Sequence, residues 1–260
     1  MNSIVKEKFK ARGIYLLPNF FTLSAMFAGF YAIIANISGM FEQAAMAIFI
    51  AMLLDSLDGR VARLTNTQTA FGAEFDSLSD AVSFGVAPAL LVYHWQLFRL
   101  GKLGWLLAFL YVAAVVLRLA RFNTQLAKVG KRYFQGLPCP APAGVIAGLV
   151  WVASDFSFNG WLICALAAML TLFLAVCMVS NVRYRSFKDF DLRNNVSFLT
   201  MLLVVLILFF LSLDPSKILF ALFAVYAFSG PIMTLWERHK KLKVRRIRRK
   251  RKNTASDIDG

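Results

Sequence analysis

Four aspartates stand in one short stretch, Asp55, Asp58, Asp76 and Asp80, within DSLDGRVARLTNTQTAFGAEFDSLSD. Read at helical period, Asp55 and Asp58 share one helix face, and Asp76 and Asp80 share another. Residues 65–75 read as a polar turn that folds the two helices antiparallel and gathers the four carboxylates into one pocket at the membrane boundary. Anions this close repel strongly in a low-dielectric site. They persist as anions only around cations, and an all-oxygen donor set suits one or two hard divalent ions, Mg²⁺ or Mn²⁺. Between the acid pairs lie Gly59, Ala62, Arg63 and Gly72. Small residues let a ligand approach the backbone, and an arginine beside metal-bound carboxylates suits a phosphate or pyrophosphate. Singly, each acid is as well explained by a solvated face, an N-cap or an ion path. Their joint spacing favours a metal–diphosphate site.

The rest of the chain must hold that stretch in place. It has 260 residues, of which 59% are hydrophobic, and its mean hydropathy is +0.63. Such a chain is an all-α polytopic membrane protein rather than a soluble globule. Apolar segments predict about eight transmembrane helices, near residues 15–37, 41–54, 75–97, 103–121, 143–152, 160–179, 196–213 and 217–235. The first is read as an uncleaved span with Pro18 in its first turn. Pro88 predicts a kink in the third. Asn19 and Thr22 either face the site or hydrogen-bond neighbouring helices. The proline-rich FQGLPCPAPAG, residues 134–144, does not start as a regular helix. Cys139, Cys164 and Cys177 read as small core residues outside any disulfide framework. His94 reads as interfacial.

Net charge is +15. In a soluble protein that would suggest nucleic acid; here basic residues cluster at span ends, which points to topology and anionic lipid instead. Of the 29 Lys and Arg, all but Arg99, Lys102 and Lys217 fall on the side of the acidic stretch. The positive-inside rule therefore predicts a multi-pass protein of the cell membrane with both termini and the site cytoplasmic. The basic tail, 237–260, is expected to lie against anionic headgroups, with a disordered end from Asn253.

The spacing D-x2-D-G-x2-A-R-x8-G-x3-D-x3-D resembles the full signature of the CDP-alcohol phosphotransferase family. That resemblance implies an integral-membrane homodimer that displaces CMP from a CDP-linked lipid with an alcohol hydroxyl. On it, Asp55, Asp58, Asp76 and Asp80 hold the divalent ions, and Asp55, Gly59, Ala62, Arg63 and Gly72 bind the CDP moiety. Asp80 is the candidate catalytic base. The stretches LPNFFTLSAMFAGF, LRLARFN and FQGLPCPAPAG resemble the serine-using branch of the family, as do two helices beyond a six-helix core. The implied reaction takes CDP-diacylglycerol and L-serine to phosphatidylserine and CMP, in phospholipid biosynthesis. The chain departs from the family's pattern at Cys139, where Ser or an aliphatic residue is common, and at Pro142, where Ala is common.

A free amino acid brings a carboxylate and an ammonium that both need partners. Arg118 and Arg121 share a helix face and either bind that carboxylate or snorkel to headgroups. Asn123 lies close in sequence, and Gly136 and Pro138 belong to the loop that carries the resemblance. The expected division is an amphipathic lead (1–14), a catalytic membrane domain (15–181), a two-helix extension (182–236) and the tail (237–260). Two rival readings remain: a sister enzyme with another acceptor or an archaeal-type lipid, and a cation or proton transporter. A transporter favours inverted repeats with acids at the midplane; here the acids cluster at one face and no repeat stands out.

Overall fold

The computed structural model describes residues 3–65, 67–126, 134–155, 160–180, 182–184 and 198–256. Among them the chain forms eight helical rods in sequence order. The first two are α1 (Ser3–Ile37) and α2 (Phe41–Leu64), joined by a tight turn with Gly39 at φ +76°. The third is composite: α3 (Ala70–Asp80), a π-helical turn (Ala81–Val86) and α4 (Ala87–Trp95). Then follow α5 (Lys102–Leu126), α6 (Pro140–Asp155), α7 (Trp161–Val179), α8 (Phe198–Leu213) and α9 (Pro215–Ser256). A two-residue antiparallel pairing, β1 (Phe134–Gln135) with β2 (Arg183–Tyr184), ties the segment after α5 to the segment after α7.

Among the described residues five helical stretches are long and apolar enough to cross a membrane: Pro18–Ile37, Ala70–Trp95, Lys102–Thr124, Trp161–Val179 and Pro215–Thr234. Their packing suits lipid rather than water. In α1 the small Ala25, Ala28, Ala32 and Ala35 are buried, while Phe20, Phe27, Phe30 and Ile34 point outward. Small residues let helices approach closely, and large apolar ones face the acyl chains. Gly29 shows how closely: a Cβ there would lie 2.3 Å from Ser83 Oγ and 2.7 Å from its Cα. Ser79 and Ser83 donate to the carbonyls of Thr22 and Ala25 across the same contact, both at 3.2 Å.

Several local expectations are corrected. Pro18 lies inside α1, because nothing in the lead stops the helix, which already starts at Ser3. The turn after α2 is shorter than 65–75: α3 starts at Ala70, where Thr69 Oγ1 caps the N–H of Gly72 at 3.0 Å. The fifth span starts at Pro140 rather than near residue 143: the proline-rich stretch begins outside regular helix, as expected, and α6 starts within it. Pro140 and Pro142 both sit in its first turn, where backbone N–H groups have no intrahelical acceptor to lose. The irregularity expected at Pro88 is resolved one turn earlier, as the π-helical turn. Pro88 has no N–H for the carbonyl of Phe84, and Tyr111 of α5 supplies one from its hydroxyl at 3.2 Å. The tail also differs: α9 continues as one helix to Ser256, past the expected onset of disorder at Asn253. Among the described residues no disulfide joins Cys139, Cys164 or Cys177, all three of them buried, and His94 Nδ1 pairs with Asn36 Nδ2 at 2.8 Å.

Candidate active site

The end of α2 and the whole of α3 bring the acids together. Single oxygens of Asp55, Asp76 and Asp80 all lie within 4.8 Å of one another. Asp55 makes side-chain contact with both of the others. The spacing explains the geometry. Asp76 and Asp80 are one helical turn apart, and Asp55 faces them from the antiparallel helix. Asp58 is not in that triad. It is 5% exposed, and its Oδ2 accepts from Thr22 Oγ1 at 2.6 Å. Thr22 thus answers the question its sequence left open: it bonds a neighbouring helix, and the group it bonds is one of the four acids.

The donor set fits a hard divalent cation. Every candidate ligand is a carboxylate oxygen, and Asp76 Oδ1 is buried without a hydrogen-bond partner among the described residues. A buried anionic oxygen left in this state is costly, and a cation is the partner that also relieves its neighbours.

Around the triad the motif's other residues sit as follows. Gly59 is exposed, and a Cβ there would meet no atom within 4 Å, so the space beside the helix is open. Ala62 is half-buried and Arg63 exposed on the next turn. Gly72 is held close to α1 and the turn: a Cβ would lie 3.1 Å from Thr69 Oγ1 and 3.4 Å from Asn19 Oδ1.

The candidate acceptor residues divide into three settings. Arg118 is buried and donates from Nη1 to Cys139 Sγ at 3.1 Å, within electrostatic reach of Asp80. Arg121, half-buried one turn on, donates from Nη1 to the carbonyl of Val179 at 3.5 Å, at the end of α7. Asn123 turns towards α3 instead: its Nδ2 donates to Glu74 Oε2 at 3.1 Å, and its Oδ1 accepts from Ser77 Oγ at 3.2 Å. Gly136 is a backbone necessity. Its φ is +86°, and a Cβ would come within 2.3 Å of the carbonyl oxygen of Met178. Pro138 is half-buried, and its carbonyl accepts the N–H of Ala141 at 3.0 Å.

Sequence reasoning missed Cys139 and Glu74 as neighbours of the candidate site. Cys139 reads as a small apolar residue, and only its place in the loop departing from the family's pattern marked it. Glu74 lies in the stretch 65–75, which reads as a turn. The Tyr226 side chain of α9 also lies in electrostatic range of Arg118, and no signal in an apolar C-terminal span points that way.

A family model described as CDP-alcohol phosphatidyltransferase matches residues 15–179. The CDP-diacylglycerol–serine O-phosphatidyltransferase of Helicobacter pylori is 36% identical over 214 residues, 82% of this chain and 90% of that protein. A protein of the same name from Bacillus subtilis is 34% identical over 178 residues, 68% of this chain and 94% of that one. Another from the archaeon Methanocaldococcus jannaschii is 32% identical over 181 residues, 70% of this chain and 79% of that one.

Proposed function

The chain belongs to the CDP-alcohol phosphatidyltransferase family, and from that premise we propose that it transfers the phosphatidyl group of CDP-diacylglycerol to L-serine, giving phosphatidylserine and CMP. One observation carries the reaction class: α2 and α3 converge three carboxylate oxygens within 4.8 Å, next to the open flank of Gly59. The serine acceptor is supported by the activity that the relatives from Helicobacter pylori, Bacillus subtilis and Methanocaldococcus jannaschii are named for and by a buried arginine, Arg118, within electrostatic reach of Asp80.

Asp55, Asp76 and Asp80, with Asp58 held behind them by Thr22, would bind one or two divalent ions, Mg²⁺ or Mn²⁺. When bound, these supply charge neutralisation to the diphosphate and to the departing CMP. Arg63 reaches the same diphosphate from the next turn of α2, and Gly59, Ala62 and Gly72 leave room for ribose and cytosine. Arg118 takes the serine carboxylate, and Arg121 braces the wall formed by the end of α7. The serine hydroxyl oxygen attacks the phosphorus that bears the diacylglycerol. Asp80 accepts the hydroxyl proton, the bond from that phosphorus to the CMP oxygen breaks, and CMP leaves with the electron pair. The acyl chains stay in the bilayer. The charge bias of the sequence supports a cytoplasmic site with both termini on that side, and the family resemblance supports a homodimer.

The test is CMP release from purified protein in detergent–lipid micelles with CDP-diacylglycerol, Mg²⁺ or Mn²⁺, and each candidate alcohol in turn. Serine- and metal-dependent CMP is the expected result. Release only with another alcohol keeps the reaction class and removes serine. No release from folded protein with any acceptor removes both.

A further inference from the structure

Arg118 is an unusually underused cation. It is 9% exposed, and among the described residues its one hydrogen bond goes from Nη1 to the sulfur of Cys139 at 3.1 Å. Its Nε is buried with no partner. A guanidinium carries five N–H donors and stays charged, whereas a thiol sulfur is a weak, neutral acceptor. Burying such a group is costly unless an anion compensates it. The unfilled donors match what a planar carboxylate accepts.

Cys139, by contrast, is fixed, and by elements other than α5. The loop before it is pinned to the end of α7: Gly136 N–H donates to Val182 O at 2.9 Å, and Leu137 N–H to Cys177 O at 3.3 Å. Gly136 has no room to shift its chain path, with the Met178 carbonyl where a side chain would be. Immediately after Cys139, α6 begins. The sulfur is fully buried. A rigid post therefore meets a long, flexible arm, and the arm's other attraction is the carboxylate of Asp80.

We infer that Cys139 is a positioning residue for acceptor selection: its sulfur holds one end of the Arg118 guanidinium away from Asp80 and keeps the remaining donors for an acceptor carboxylate. The role rests on the serine reading above. It makes this loop position, rather than the metal-binding acids, a determinant of how well an amino-acid acceptor competes. Without the sulfur, the guanidinium turns to Asp80. Serine must then win it back, which raises the serine concentration needed but not the rate once serine saturates.

The experiment is serine-titrated CMP release by the full chain, comparing wild type with Cys139→Ala, Cys139→Val and Cys139→Ser. Ala and Val bracket the volume of Cys, so a packing fault in one leaves the other to decide; Ser restores an acceptor oxygen. Monodisperse elution in detergent serves as the check of folding. Both apolar variants are expected to raise the serine KM about tenfold, the effect of losing one hydrogen bond to a charged group. Their kcat and their KM for CDP-diacylglycerol are expected to stay near wild type, and Cys139→Ser to return the serine KM to near wild type. An unchanged serine KM in the folded apolar variants overturns the inference. So does an equal fall of kcat in all three variants with KM constant, which marks a structural role. The wild-type arm separates the two levels: absence of serine-dependent release there removes the serine reading itself, and with it the role of Cys139.

Discussion

Each acid in the cluster makes the others harder to hold. Three carboxylates within 4.8 Å repel one another until a cation intervenes, which gives Asp76→Asn two separable signatures. Without divalent ions the variant is expected to unfold at a higher temperature than wild type, since one repulsive partner is gone. With Mg²⁺ or Mn²⁺ it is expected to gain little further stability, and its CMP release is expected to fall at least a hundredfold, in the range of losing an electrostatic catalytic group. Thermal unfolding in detergent with and without chelator reads both; a full cation-induced shift in the variant would remove Asp76 from the ligand set. Thr22→Val tests the support behind them. It strips the 2.6 Å bond from buried Asp58, at a cost of about 1–3 kcal/mol, and Thr22→Ser is expected to recover most of it. Equal melting temperatures for Val, Ser and wild type would show that the bond contributes nothing. At this scale the sequence is informative where charge repeats at helical spacing, as in Asp76 and Asp80. It was silent where a residue's type hides its partner: Thr22 had two equally good uses, and Cys139 looked like core.

Among the elements, the composite third rod does the most positioning. Its α3 segment presents Asp76 and Asp80, and the π-helical turn directly after Asp80 changes the rotation of everything downstream relative to the acids. Such turns recur at functional sites. Here the turn also places Ser83 against Gly29 of α1 and Phe84 O under the Tyr111 hydroxyl. Tyr111→Phe removes the hydroxyl's bond to that buried carbonyl and is expected to destabilise the protein by about 1 kcal/mol with the motif residues untouched. Gly29→Ala is expected to act on the same joint through sterics, lowering both melting temperature and turnover by forcing α1 off the site. Wild-type melting temperature and turnover in that variant would show that the crossing has slack the distances do not. The order and rough limits of the helices were legible because apolar runs of membrane length stand out. The start of α3 and of α6 was not. Thr69 as a cap and Pro140 in a first turn are signals of helix beginnings, but each sits among glycines, threonines and prolines that equally well make loops. The π turn had only Pro88 to announce it, and a proline alone does not say which residue upstream absorbs the mismatch.

For the molecule as a whole, lipid and charge set the frame. Large apolar side chains face outward, as at Phe109 and Leu117 of α5 and Leu162 and Met169 of α7, while the interior mixes many alanines with larger groups such as Phe84, Ile48 and Tyr111. The composition of the basic tail suits a place against anionic headgroups, and each Lys or Arg near such a surface contributes about 1 kcal/mol. The full chain is therefore expected to show serine-dependent CMP release that rises with anionic lipid, and a chain ending at Trp236 to keep the release but lose the rise. Vesicles of increasing anionic content measure this directly, and an identical rise in the truncated chain would assign the lipid response elsewhere.

The course of α9 adds something that neither charge nor burial alone suggests. The same unbroken rod that continues to Ser256 is seated against α6 with almost no clearance: Phe223 and Phe220 occupy the space where side chains at Gly144 and Gly148 would be. Between that seat and the charged end stands Tyr226, within electrostatic range of Arg118. Mechanically this is a lever with its fulcrum at α6. Tilting the long arm at the membrane surface, through crowding, bilayer thickness or a bound neighbour, would be felt around Arg118 as torque, with no molecule entering the pocket to deliver the message.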